Sequence, residues 1–501
     1  MRHPLLGIDF HNNLENMDNN FFHKTAEIDK LLSSWLYRYL TPFGKITVIK
    51  SLGISKLSHI ALVLPAINNN MTKDLEKILF RFLWNGKTDK VARKATYLPV
   101  SQGGLGMVDI KSFWAALKFS WIRRISTSEA FWTKILNEEL AKSHHSTNSM
   151  LSLGPLDLAG LSKQIKNKFW SNVFKVASSM TTAAAYAMPN KLMLFPIFRN
   201  TLFKVGNRAI QSNVINGNNG RVNQVADFFK AGSQQFYSLQ EFNAAHGTAV
   251  EQGRYDRIVD AIVVGIRSLN FNLGEAELHQ QPRQSILTHI ACSNTKGCRK
   301  YYDILRRQES DKVDTSGPEN KWHTELGRIL SIDFWNKAWI SLSRLKLNND
   351  LKWIQLQVLR NILKTNTIVC KFVPLVNDQC DFCHNSQETI RHLLFSCRLV
   401  QKFWNDLNLF LADNNIPQLP LNRLNILFGS LSEDCNSREN MLILLAKKFI
   451  WTAKFKDTAP KINIFKNTLK YFLYNQNIAS EIRNKSDEFD NMWGRLYHIL
   501  L

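Results

Sequence analysis

Apolar residues recur at helical spacing over most of this chain. From Lys24 to Tyr39 they fall at Ile28, Leu31, Leu32, Trp35, Leu36 and Tyr39, three and four apart, which is one face of an amphipathic helix. Thr41-Pro42-Phe43-Gly44 stops it, and KITVIKSLGISKLSHIALVLP comes next as a helix-length apolar run interrupted by Lys45, Lys50 and Lys56 and closed by Pro65. Thr72 is placed to cap a third helix carrying Leu75, Ile78, Leu79, Phe82 and Leu83. A fourth, with Phe113, Trp114, Leu117, Trp121 and Ile122, lies after Gly103-Gly104-Leu105-Gly106. After Trp322 the helical pattern resumes in FWNKAWISL, LKWIQLQVLRNILK and LVQKFWNDLNLFL, then in MLILLAKKFIWTAKFK and, past Pro460, INIFKNTLKYFLYN.

Polar stretches rich in Gly, Pro, Ser or Asn at 144–155, 216–223 and 306–321 read as linkers, and no internal repeat is evident. The pattern predicts a mainly α, multi-domain protein with little β, divided at about 1–130, 131–321, 322–430 and 431–501.

Length and composition change this picture little. A chain of 501 residues, 45% of them hydrophobic, is long enough to bury the cores of two to four domains. Charge changes it more. Lys and Arg number 64 against 41 Asp and Glu, a formal charge of +23, which calls for a polyanionic partner. Nucleic acid is the first choice. A membrane surface fits less well, because the basic residues are spread over many segments instead of lining one amphipathic helix. A basic protein with no such partner is the bland alternative.

The N-terminal MRHPLLGIDFHNN has no apolar leader, and apolar stretches such as HIALVLPAI stop well short of a membrane span, so neither export nor a membrane is expected. Seven cysteines, an odd and sparse set, then suit a reducing intracellular compartment, nucleus or cytoplasm, where close cysteines bind metal more readily than they pair.

Three of those cysteines lie in CDFCHNSQETIRHLLFSC, residues 380–397. Cys380, Cys383, His392 and Cys397 form C-x(2)-C-x(8)-H-x(4)-C, three thiolates and an imidazole, the donor set of a closed tetrahedral zinc site. A full site has no place for water, so its Zn2+ is structural. Ile390, Leu393 and Leu394 beside His392 suggest a short helix packed on a core. His384 is the second-choice ligand, since adjacent ligands strain the loop. Cys292 and Cys298 in ACSNTKGC have no second ligand set nearby and read as packing residues.

Three other patterns invite chemistry. His323-Thr324-Glu325 supplies the H-x-E of a zinc-dependent nucleobase deaminase, but no Pro precedes Cys380 and His392 and Cys397 would have no role. The glycines at 103–106 lack both phosphate-loop registers and read as a turn between helix and strand. Lysines form the third pattern. Between residues 30 and 73 stand Lys30, Arg38, Lys45, Lys50, Lys56 and Lys73 with no acid, among Trp35, Tyr37, Tyr39 and Phe43. Between 440 and 480 Lys447, Lys448, Lys454, Lys456, Lys461, Lys466 and Lys470 face only Asp457. Such runs can track a phosphate backbone. Arg38, Lys45, Lys50 and Lys56, with Lys447, Lys448 and Lys454, are the candidate contacts. A solvated helix face over an aromatic core accounts for the aromatics equally well.

WLYRYLTPFGKITVIKSLGISKLSHIALVLPAI, FRFLWNGK, YLPVSQGGLGMVDI and ETIRHLLFSC with its upstream C-x-x-C resemble, in this order, the downstream part of LINE-type (non-long-terminal-repeat) retrotransposon reverse transcriptases. The likeness runs from about Leu6 to about Trp404, with FGS and LLAKKFIW resembling the family's tail, and is poor between 130 and 320. It implies a thumb-like helical region at 1–130, a connector at 131–321, the reverse transcriptase zinc-binding region within 322–430 and a basic helical tail. It also implies a partner in RNA or an RNA/DNA hybrid, with association with a full-length element protein a further expectation. The family's aromatic-Ala-Asp-Asp motif would precede LLGIDF, and nowhere here do two Asp stand side by side to hold two magnesium ions. A truncated product that binds nucleic acid but does not polymerise, with no catalytic residues, is therefore expected; an inert, decayed element product is the alternative.

Overall fold

A computed structural model describes residues 2–5, 7–11, 17–66, 69–211, 215–217, 220–277, 284–293, 297–310, 313–346, 348–431, 434–456 and 458–501. Leu6, Asp457, the middle of ACSNTKGC and parts of the linkers at 216–223 and 306–321 lie outside them. The protein is mainly α, as expected. The described residues hold 24 α-helices, and their β-structure is confined to three two-stranded antiparallel ribbons and a few isolated bridges.

The chain divides into two compact units that interleave in sequence. One comprises Met1–Trp35, Ile49–Leu79 and Val108–Val313; the other comprises Leu36–Val48, Phe80–Met107 and Asp314–Leu501. This differs from four consecutive parts. No unit ends near 130, because helix Ile110–Thr127 shares its core with later helices of the same unit: Phe119 and Ile122 pack in one cluster with Phe174, Met180 and Tyr301. The region read as a connector of unassigned fold is thus helical core, built on Lys168–Ala187 and Gln252–Ser268.

In the first unit, helix Ile110–Thr127 begins at Asp109, whose carboxylate accepts from the Lys111 and Ser112 amides and caps the first turn. Trp121, on the same helix, sits edge-on to Trp132, Phe169 and Trp170 at 5.1–5.8 Å. Lys118 is buried, and its ammonium donates to the Leu62 and Leu64 carbonyls, where a helix ends and carbonyls have no intrahelical donor. Burial pulls its pKa down to about 7.

Pro42–Val63 is one helix with a π turn at Ile49–Ile54. By length and composition alone it is apolar enough to cross a membrane, with a mean hydropathy of 1.4 over its best window, 44% of which is buried in the protein. The expectation that apolar runs stop well short of a span is corrected on length, since Gly44 and Gly53 do not break the helix. Thr72 is not a cap: its helix starts at Asn69, and Thr72 lies buried within the first turns.

In the second unit, Trp322 and Trp335 meet Phe428 at 5.0 and 5.5 Å, and the Trp322 indole N–H donates to the Val358 carbonyl at 3.0 Å. Gly103 and Gly104 form a turn between a 3-10 turn, Val100–Gln102, and helix Ile110–Thr127; no strand is formed there, contrary to expectation. The Gly103 carbonyl accepts from Arg360 at 2.8 Å, and a Cβ at Gly104 would lie 1.9 Å from the Leu98 carbonyl oxygen. Close backbone approach explains these glycines without a phosphate.

Candidate metal centre

The Cys/His window folds as a turn, a single helical turn and a helix start. Gln379 bridges Gln387 antiparallel, the Cys380 amide donates to the Ser386 carbonyl at 2.9 Å, and the His384 amide donates to the Cys380 carbonyl at 2.9 Å. His384 closes this turn in the left-handed conformation (φ 53°), with its side chain in solvent. Ile390, Leu393 and Leu394 are fully buried and fix the π turn His392–Ser396 against the core, so the apolar spacing did mark a short helical piece. Cys397 sits at the N-terminal end of helix Arg398–Asp413.

Folding brings Cys380, Cys383, His392 and Cys397 together, their ligand atoms all within 4.8 Å of one another. The Cys380 and Cys397 sulfurs are 4.0 Å apart, and Cys383 Sγ is 3.3 Å from His392 Nε2. Sulfurs each about 2.3 Å from a tetrahedral zinc are roughly 3.8 Å apart, so the cluster fits that ion with little movement. His384 is outside it.

Without an ion the protonation energetics divide, Cys397 and His392 favouring the state a metal ligand needs and Cys380 favouring its thiol. Hydrogen bonding from Cys380 holds the Cys397 thiol below its ordinary pKa despite burial, and the Leu399 and Val400 amides act in the same direction. Cys380, as the donor of that pair, is raised, first by the bond to Cys397 and then by burial. Burial, then the Arg391 charge, lowers His392, which keeps the imidazole neutral as a ligand requires. Bound there, Zn2+ would replace the shared thiol proton and tie turn, π turn and helix together.

A second layer of polar residues, which no sequence spacing signalled, holds the turn. Glu388 is fully buried; its carboxylate accepts from the Asn366 amide at 2.9 Å and the Asp381 amide at 3.2 Å. Lys454, buried at the end of helix Arg438–Lys454, donates to Glu388, to Asp381 at 2.5 Å and to the Asn366 side chain at 2.7 Å. Glu325 accepts from the Arg391 amide at 2.9 Å and from Asn361 at 2.9 Å. The deaminase reading fails here: Glu325 is a structural acceptor, and His323 faces Trp335 at 3.4 Å, outside the ligand cluster.

The candidate phosphate contacts divide. Arg38, Lys50 and Lys56 are exposed, as are Tyr37 and Tyr39. Lys56 lies 3.5 Å from Glu27. Although Lys50 is solvent-exposed, desolvation by the protein around it, then the Arg299 charge, lowers its pKa. Lys448 is partly exposed, 3.1 Å from Asp350, and lines an open cleft of about 710 Å³ with Phe449, Lys456 and Tyr471.

Lys45, Lys447 and Lys454 do not reach solvent, and as phosphate contacts they are corrected. The Lys45 ammonium donates to the Phe82 carbonyl at 2.8 Å and to Asn85, closing the end of helix Asn69–Trp84. Lys447 donates to the Gln355 side chain and to the Leu427 carbonyl at 3.3 Å. Its helical neighbours Ile443, Leu444, Ile450 and Trp451 are all apolar, and that pattern marks an inward position. Lys454 is committed to Glu388 and Asp381.

Cys292 and Cys298 are partly buried, and Cys298 packs on the first unit's core, which raises its thiol pKa by desolvation. Residues 299–404 match the family described as zinc-binding in reverse transcriptase. The match takes in all four clustered ligands, so this stretch is a reverse transcriptase-related zinc-binding domain.

Proposed function

We propose that the chain belongs to the downstream part of a LINE-type reverse transcriptase, where it binds RNA or an RNA/DNA hybrid and does not itself polymerise. Zn2+ holds its binding fold, and cations of the helical parts, the exposed Arg38, Lys50 and Lys56 and the partly exposed Lys448 among them, contact phosphates. The observation that carries this reading is the coincidence of the reverse transcriptase zinc-binding match with a closed Cys3His cluster, in a chain of net charge +23. A filled four-ligand site supports architecture, not hydrolysis.

A salt titration of RNA binding by the zinc-loaded protein tests it. Affinity that falls steeply and linearly in log–log form is expected. Binding that is absent, or indifferent to salt, defeats the reading and leaves an inert element product.

A further inference from the structure

Lys87, Lys90 and Lys364, all in the second unit, lack the protein partners that its buried lysines have. All three are exposed, and no ion pair is made by any of them among the described residues. Asp89, beside Lys90 in sequence, is taken by Arg93 at 2.8 Å. Lys90 Nζ lies 5.7 Å from the centre of the Trp353 ring, which is half-buried and packs against Phe43 and Trp84 at 6.4 and 6.3 Å.

The Lys87 and Lys364 charges both act on Lys90. The surrounding protein lowers the pKa of Lys90, and the Lys364 and Lys87 charges lower it further. Lys45 sits close as well, brought down to about 8 by burial and then by Lys90. Gathering like charges beside an acid that is already paired with Arg93 costs the folded protein stability, a cost that a bound polyanion removes. An aromatic ring among the cations favours a strand with unpaired bases over a duplex or a lipid surface, because an unpaired base has a free face to stack.

We propose that Lys87, Lys90, Lys364 and Trp353 form a binding site for single-stranded nucleic acid, the lysines meeting neighbouring phosphates and the indole a base. The site rests on the nucleic-acid reading above but uses none of the residues that the sequence singled out for it.

The test is fluorescence anisotropy of the full zinc-loaded chain with labelled single-stranded RNA, single-stranded DNA and duplex RNA over a salt series. A Lys87→Gln, Lys90→Gln, Lys364→Gln variant should lose neither melting temperature nor zinc content. Its log K against log salt slope for single strands should be shallower by about 2, since each phosphate contact contributes about 0.7. Trp353→Leu should bind single strands about ten-fold more weakly and leave duplex binding unchanged. An unchanged slope in the triple variant, with steep wild-type binding, overturns this site and leaves the general reading standing. No wild-type binding to any probe overturns both. Equal losses on duplex and single strand with no effect of Trp353→Leu, or equal competition by polyglutamate, overturns the single-strand assignment.

Discussion

Two regions of the second unit handle charge in opposite ways. Behind the Cys/His turn, Glu388 and Lys454 are buried against each other and every polar group of the set has a protein partner. Around Trp353, Lys87, Lys90 and Lys364 are exposed and share no acid. A charge matched inside the protein is part of the fold, and removing its partner is costly. A charge left unmatched at the surface costs little to remove and is available to a ligand. The two regions should therefore separate cleanly under mutation, stability changing at the first and binding at the second.

The largest effect is expected at the ligands. Cys380→Ser with Cys383→Ser should abolish zinc content, expected at one ion per chain in the unaltered protein, and unfold residues 378–404 locally, because structural zinc contributes on the order of 10 kcal/mol to such modules. Metal analysis and limited proteolysis measure this, with His384→Ala as the control that keeps its zinc.

Next in size is Lys454→Met, which strands the buried Glu388 carboxylate. A loss of about 3–5 kcal/mol in denaturant unfolding is expected, together with roughly 10- to 100-fold weaker zinc binding in a chelator competition. An unchanged zinc affinity would show that the second layer does not hold the turn.

A smaller effect concerns pH. Lys447, buried among neutral partners, has a pKa lowered to about 7, against an ordinary value of 10.5. Between those values the unfolded chain binds more protons than the folded one, so this lysine makes stability rise with pH from about 7 towards 10. The same sign holds for Lys118 in the other unit. Lys447→Met should flatten the rise seen in thermal unfolding across that range.

The smallest change in stability belongs to the exposed pair Lys56 and Glu27. Lys56→Gln should alter stability by less than about 0.5 kcal/mol while reducing the salt slope of RNA binding by about 0.7 to 0.9. A stability loss without a binding loss would reverse the assignment.

Sequence reading succeeded where the constraint is local. The four candidate zinc ligands were legible because a C-x-x-C turn and a short helical spacing place all of them within eighteen residues. Helices such as Arg398–Asp413 and Ile462–Ile482 were legible from apolar periodicity. Reading by charge density failed at Lys45, Lys447 and Lys454, since a run of lysines looks like a surface unless each one's helical neighbours are checked. Glu388 left no sequence signal at all: its partner lies in a helix 66 residues away.

The sequence by itself determined the helical class, the ligand identities and the excess of positive charge, since periodicity, donor chemistry and composition are properties of the chain. Only the tertiary structure decided which cations are spent inside and which face solvent, and that each of two compact units gathers segments far apart in sequence. Burial and partnering depend on residues far apart in sequence. A lysine's role is set by whether the fold brings it a carboxylate, a carbonyl or only other lysines.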